Sequence, residues 1–192
     1  TTLARGGAFF AFHLETDRFG SYYGFETTTF SGNRARGNTA LGGATSSDLV
    51  GGEFVNTTFS ANVAESTGDI STDVAHGGAI HIVDDFLDIV NCTIVNNVAE
   101  GTGILDGAGI YLGQAVMNPI ILIIKHKNNI MAGQSFNPPN PSWFLNCKAQ
   151  DAAVNPSFFE LAPAPAFSIS DDPNDDCFDA YDPGFDINTM LG

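Results

Sequence analysis

The strongest constraint on this chain is that it repeats. "GGATSSDLVGGEFVNTTFSANVA" (Gly42 to Ala64) and "GGAIHIVDDFLDIVNCTIVNNVA" (Gly77 to Ala99) follow one plan. A glycine pair opens each copy, β-branched and aromatic runs follow, and an Asn closes it three residues after a large apolar residue. First Gly and closing Asn are twenty residues apart in both, Gly42 to Asn62 and Gly77 to Asn97. An earlier copy runs from Gly6 in "GGAFFAF" to Asn33 in "TTTFSGNRA", a longer excursion of 27 residues. A fourth opens at Gly107 in "GAGIYL" and ends in "KNNIMAGQ", where Gly133 takes the Asn place. The starts lie 36, 35 and 30 residues apart. Self-similarity at this period means stacked units that share a continuous core.

Each unit reads as about three short strands with corners, and no segment carries a helical period of ten or more residues. Glycine at the start permits positive φ or close backbone approach. "AIHIV", "FLDIV" and "TIV" are strand-forming runs. Asn tolerates a left-handed corner, and its amide can bond from unit to unit, as Asn ladders do in other stacked strands. The expected ladder is Asn33, Asn62 and Asn97. The expected interior file is Phe30, Phe59, Ile94 and Ile130, with Ile80, Ile82, Ile110 and Leu112 in a second file. The economical fold is all-β: a parallel solenoid of about four coils, each strand pairing with its counterpart one repeat along.

These units, "GGAI…TIVNN" and "GGAT…TFSAN", resemble the repeats of right-handed parallel β-helix proteins, in particular the GGAI/FxxN repeats of polymorphic outer-membrane proteins and related surface adhesins. The resemblance covers about Gly6 to Gln134. It implies a right-handed parallel β-helix. Proteins of that architecture include structural surface proteins, adhesins and polysaccharide-cleaving enzymes, so the fold alone selects no function.

After Gln134 the pattern stops. "SFNPPNPSWF" is rich in proline, and the last residues, from Asp171, are strongly acidic. Residues 1–134 read as the coils and 135–192 as a C-terminal cap with an extended acidic arm on the same domain. The N-terminal end is expected to be closed by residues 1–5 with the loop Glu15 to Gly24, by an upstream coil, or by another chain. No leader pattern opens the sequence, which suits a processed terminus or a piece of a longer protein.

Charge narrows the function. Lys and Arg number 7 against 22 Asp and Glu, a formal charge of −15. A phosphate backbone needs a cationic surface, so nucleic acid is an unsuitable partner, as is an anionic membrane. The apolar run Pro119 to Ile124 is too short for a membrane helix. High Thr, Asn, Gly and Asp with little Lys suits a secreted or cell-surface protein.

Candidate chemistry is sparse. Asp172, Asn174 and Asp176 alternate and could hold calcium, although the EF-hand Gly and Glu are missing; a solvated acidic tail explains them as well. Otherwise no cofactor is expected. Asp84, Asp85 and Asp88, with Lys125 and Lys127 one repeat on, could serve acid–base chemistry on a polysaccharide. Complementary charges on a surface strand are the simpler reading of them. His13, His76, His81 and His126 lack metal spacing. Cys147 and Cys177 could pair, and Cys92 reads as a buried thiol. Asn56 in "NTT" and Asn91 in "NCT" are glycosylation sequons. Aromatics in the outer loop (Tyr22, Tyr23, Phe25) and after the repeats (Trp143, Phe144, Phe158, Phe159, Phe167) suit either local packing or a partner surface. The expectation is a non-enzymatic structural or adhesive subunit of a larger assembly or filament. Its partners would be further copies, other surface proteins or glycans. The second reading is a polysaccharide lyase or hydrolase.

Overall fold

The computed structural model describes residues 2–12, 21–68, 72–83, 85–113, 122–137, 147–149, 159–161 and 169–170. Every regular element among them is a strand. The chain first lays down β1 (Leu3–Arg5), β2 (Phe9–Phe12), β3 (Tyr22–Glu26), β4 (Thr29–Ser31) and β5 (Arg34–Gly37). A second pass gives β6 (Thr39–Leu41), β7 (Thr45–Asp48), β8 (Gly51–Val55), β9 (Thr58–Ser60) and β10 (Val63–Ser66). The third gives β11 (Val74–His76), β12 (Ile80–Val83), β13 (Leu87–Val90), β14 (Thr93–Val95) and β15 (Val98–Glu100). The fourth gives β16 (Ile104–Asp106), β17 (Ile110–Gly113), β18 (Leu122–Lys127), β19 (Ile130–Ala132) and β20 (Ser135–Asn137). β21 (Cys147–Ala149), β22 (Phe159–Leu161) and β23 (Ile169–Ser170) follow.

These strands form five parallel sheets, visited in the same order on every pass. The first is β1-β6-β11-β16, the second β2-β7-β12-β17-β21 and the third β3-β8-β13-β18-β22. The fourth is β4-β9-β14-β19-β23 and the fifth β5-β10-β15-β20. Each strand therefore pairs with its counterpart one repeat along, as Ile80 does with Thr45 and Ile110. The strands that follow Gln134, β20 to β23, continue four of the five sheets.

Five short strands per pass, rather than three, follow from the corners. Left-handed residues recur at matching places: Gly6, Gly42, Gly77 and Gly107 between the first and second sheets; Thr27, Asn56, Asn91 and Asn128 between the third and fourth; Gly32, Ala61, Asn96 and Gly133 between the fourth and fifth. Each breaks what would be one longer strand into two. The paired glycines divide the labour. Gly42 has φ +69°, which a side chain adopts at a cost. A Cβ on Gly43 would lie 2.0 Å from the Gly78 carbonyl oxygen and 2.6 Å from Val63 backbone, so the second glycine lets successive corners touch.

Side-chain alternation then divides inside from outside. Phe54, Phe59, Ile80, Ile82, Leu87, Ile89, Ile94, Ile110, Leu112 and Met131 are buried from the second, third and fourth sheets. The first and fifth sheets contribute small residues, Ala40, Ala64, Ala75 and Ala99, which pack together with Leu105 and Phe136. Aromatic rings stack along the pass direction: Phe30 lies 5.0 Å from Phe59 and nearly parallel to it. Tyr23 reaches into this apolar interior and places its hydroxyl 3.3 Å from Ser47 Oγ, and burial pushes its pKa up to about 12.

Candidate functional site

Two histidines strongly altered by the fold lie on the first and second sheets, flanking the glycine corner. Counting from each opening glycine, the residue before it is Arg5, Leu41, His76 or Asp106, and the residue four after it is Phe10, Ser46, His81 or Tyr111. The parallel registers stack these residues from pass to pass. His76 and Tyr111 rings are 4.0 Å apart at 17°, and His81 and Tyr111 are 5.4 Å apart at 3°. Ser46 Oγ and His81 Nδ1 share a hydrogen bond of 3.3 Å.

Burial controls the charges here. It lowers His76 to about 4. It lowers His81 well below the usual histidine range, with His76 and Arg5 adding positive neighbours. Asp48 is raised by burial, against the pull of the Arg5 guanidinium that ion-pairs with it. His76 Nε2, Arg5 Nε and Asp48 Oδ1 are buried without a hydrogen bond. The result is a stack of flat rings in which burial keeps both histidines neutral near neutral pH.

Of the carboxylates and lysines expected to work together, Asp88, Lys125 and Lys127 fall on the third sheet. Glu53, Asp88 and Lys125 occupy one register position on β8, β13 and β18, and Lys127 stands opposite Val90. Asp85 accepts a 2.8 Å hydrogen bond at Oδ1 from the Phe86 backbone N–H, a local turn contact. Asp84 lies outside the described residues. So do Asp172, Asn174, Asp176 and Cys177. Among the described residues no group of three or more His, Cys, Asp or Glu could hold a metal ion.

At the corner between the fourth and fifth sheets, amides run from pass to pass. Asn62 Oδ1 accepts from Asn33 N and Nδ2 at 3.0 and 2.9 Å. Asn97 Oδ1 accepts from Asn62 N and Nδ2 at 3.0 and 2.9 Å. The fourth member is Gln134, whose Oε1 accepts from Asn97 N and Nδ2 at 2.7 and 3.1 Å. This corrects the repeat alignment by one residue. Gly133 matches Gly32, Ala61 and Asn96 in the left-handed series, not the ladder Asn. Likewise Met131, not Ile130, pairs with Ile94 and completes the file of Phe30, Phe59 and Ile94. Ile130 stands opposite Thr93 and packs against Val95 and Ala132. The residue types invite the slip: Ile is the closer match to Ile94, and Gln is the less familiar ladder residue. A one-residue shift exchanges the two faces of a strand.

Asn56 and Asn91, the sequon residues, belong to the other left-handed corner, where both are exposed. Asn91 Oδ1 accepts from Asn128 Nδ2 at 3.1 Å. Beside them Cys92 N–H donates to Asn129 Oδ1 at 2.8 Å, a second inward amide contact that the sequence pattern does not announce. Cys92 is a free, buried thiol, pushed up by burial. Cys147 is buried and disulfide-bonded.

Comparison with protein-family models, curated proteins and solved structures found no match for this chain. The sequence does carry a signal for the ring stack, because His81 and Tyr111 both stand four residues after an opening glycine. An alignment of the copies on their inward positions alone passes over it.

Proposed function

We propose that this chain is a right-handed parallel β-helix that works outside the cell or at its surface as a non-enzymatic structural or adhesive module of a larger assembly. The carrying observation is the unbroken succession of parallel pairings from the first described pass to the last described strands. Among the described residues β1 to β5 each have a neighbour on one side only. Leu3 (57% exposed) and Tyr22 (65%) lie at this end, with Phe10 and Phe12 also exposed. The repeat resemblance to surface adhesins and the disulfide at Cys147 support an oxidising, extracellular setting. Glu65 and Glu100 serve ion pairs with Arg34, which supports a structural use of these charges. Light scattering across dilution, joined to negative-stain imaging, tests the reading. Fixed large particles or filaments are expected, and a monomer at every concentration would overturn it.

The second reading, a polysaccharide-cleaving enzyme, draws support from one file: Glu53, Asp88 and Lys125 at a shared register position. Carboxylates and a lysine along one face suit acid–base work on a sugar chain. Release of reducing or unsaturated ends from a polysaccharide panel, abolished in Asp88→Ala, would favour it.

A further inference from the structure

The two glycosylation sequons fall where the fold leaves an amide free. Asn56 and Asn91 hold the left-handed corner between the third and fourth sheets, and both are exposed. They are neighbours across one pass, because Val55 pairs with Val90 before them and Thr58 with Thr93 after them. Asn91 Oδ1 accepts from Asn128 Nδ2, but among the described residues neither Asn56 nor Asn91 donates through its own Nδ2. The inward amides differ. Asn33, Asn62, Asn97 and Asn129 each donate a hydrogen bond from Nδ2. None of those four starts a sequon, and Asn140 and Asn155, which have Ser two residues on, are followed by Pro. The corner itself does not demand Asn, since Thr27 takes the same left-handed place one pass before Asn56. Thr58 and Thr93, the third residues of the two sequons, stand half-buried at the start of β9 and β14.

We propose that Asn56 and Asn91 are N-glycosylation sites, with the sugar standing off the corner between the third and fourth sheets. The donor class is a sugar whose anomeric carbon carries a diphosphate, joined to a lipid or to a nucleoside. In the transfer the Asn Nδ2 bonds to the anomeric carbon as the carbon–oxygen bond to the diphosphate breaks. The diphosphate leaves with the electron pair, and the amide nitrogen gives up one proton. Adjacent passes lie about 4.8 Å apart and a glycan is bulky, so one chain carries sugar at one of the two sites. Asn56 is the preferred acceptor, because Asn128 tethers the Asn91 amide and nothing tethers that of Asn56. The inference is independent of the assembly reading. A sugar at this corner keeps it solvated, so contacts between copies fall on other faces.

The test is the intact mass of the full chain purified from the cells that make it, followed by fragmentation of the peptides that hold Asn56 and Asn91. A mass above that of the bare sequence is expected, with sugar on Asn56 in most chains and on Asn91 in the rest. A single hexose identifies the nucleoside-linked donor, and an oligosaccharide added as a block identifies the lipid-linked one. Thr58→Val and Thr93→Val keep the corner Asn and a β-branched strand residue while removing the acceptor motif. Each should abolish sugar at its own Asn, and Thr58→Val should raise the occupancy of Asn91, with unchanged thermal unfolding as the check on the fold. The mass of the natural chain decides the matter even if a variant disturbs the fold. A chain with the mass of its bare sequence, or sugar on Asn56 that survives Thr58→Val, would overturn the proposal. Sugar on both Asn of one chain would uphold the sites and overturn the crowding between them.

Discussion

Asn62 Nδ2 donates to Asn97 Oδ1 across 2.9 Å, while the same nitrogen donates to the Phe30 carbonyl at 3.0 Å. One buried amide thus ties three passes of the chain together. Removing a buried partner strands the groups it satisfied, at about 1–3 kcal/mol each. Asn97→Leu leaves the Asn62 N–H without its side-chain acceptor, takes one of two acceptors from Asn62 Nδ2, and removes the amide donor from the Phe59 carbonyl. We expect a loss of about 3 kcal/mol or more, read as a lower denaturant midpoint. Asn33→Leu, at the half-buried head of the ladder, should cost about 1 kcal/mol. Equal losses at the two sites would mean that ladder position does not matter.

The register correction is open to the same method. Met131 is buried opposite Ile94, whereas Ile130 packs in a small outer cluster. Met131→Ala should cost about 2–5 kcal/mol by opening a cavity in the main core. Ile130→Ala should cost about 1 kcal/mol, the loss of partly exposed apolar area. The reverse order would restore the alignment on Ile130.

The buried histidines make stability fall on the acid side. His76 and His81 are held neutral by burial, with folded pKa values below the unfolded 6.5. The unfolded chain therefore takes protons first. Their contribution is intact above about pH 6.5 and is lost as pH falls toward 4. Asp48 has the opposite sign: raised in the fold, it relieves some of the loss once the pH approaches the carboxylate range. Groups facing the rings from the neighbouring strands include Arg5, Asp106, Tyr111 and Ser46. Melting temperature should drop between about pH 7 and about pH 4.5, and His76→Phe, which keeps the stack on Tyr111, should flatten that drop. An unchanged slope in the variant would remove His76 from the account.

How much of this is legible in the sequence depends on which face a residue serves. Inward positions such as Phe59, Ile94 and Asn97 repeat because each must match the same neighbour one pass away, and their spacing exposes the parallel stacking. The opposite face of the second sheet is less uniform: Phe10, Ser46, His81 and Tyr111 share one file, three of them aromatic and one a serine, so the repeat is harder to see there. The extra strand breaks are also hidden, since the left-handed corner accepts Thr27, Asn56, Ala61 and Gly133 alike. Where backbone geometry rather than packing sets the requirement, residue type signals it weakly.

Glycine substitutions separate the two costs that the corners impose. Gly32 has φ +66° and open space where a methyl would go, with no heavy atom within 4 Å. Gly32→Ala therefore bears only the cost of the left-handed backbone, about 1–2 kcal/mol. Gly43 carries no such φ, but a Cβ there would sit 2.0 Å from the Gly78 carbonyl oxygen and 2.6 Å from Val63. Both contacts are backbone and cannot swing aside, so the next pass at Gly78 and the β10 backbone at Val63 would have to move. Gly43→Ala should cost more than Gly32→Ala, about 3 kcal/mol or more, at the level reserved for core disruption. It should also loosen the neighbouring ladder, seen as faster amide exchange at Val63 and Val98. Similar costs at the two glycines, with exchange unchanged, would show that the passes are not in contact at this corner.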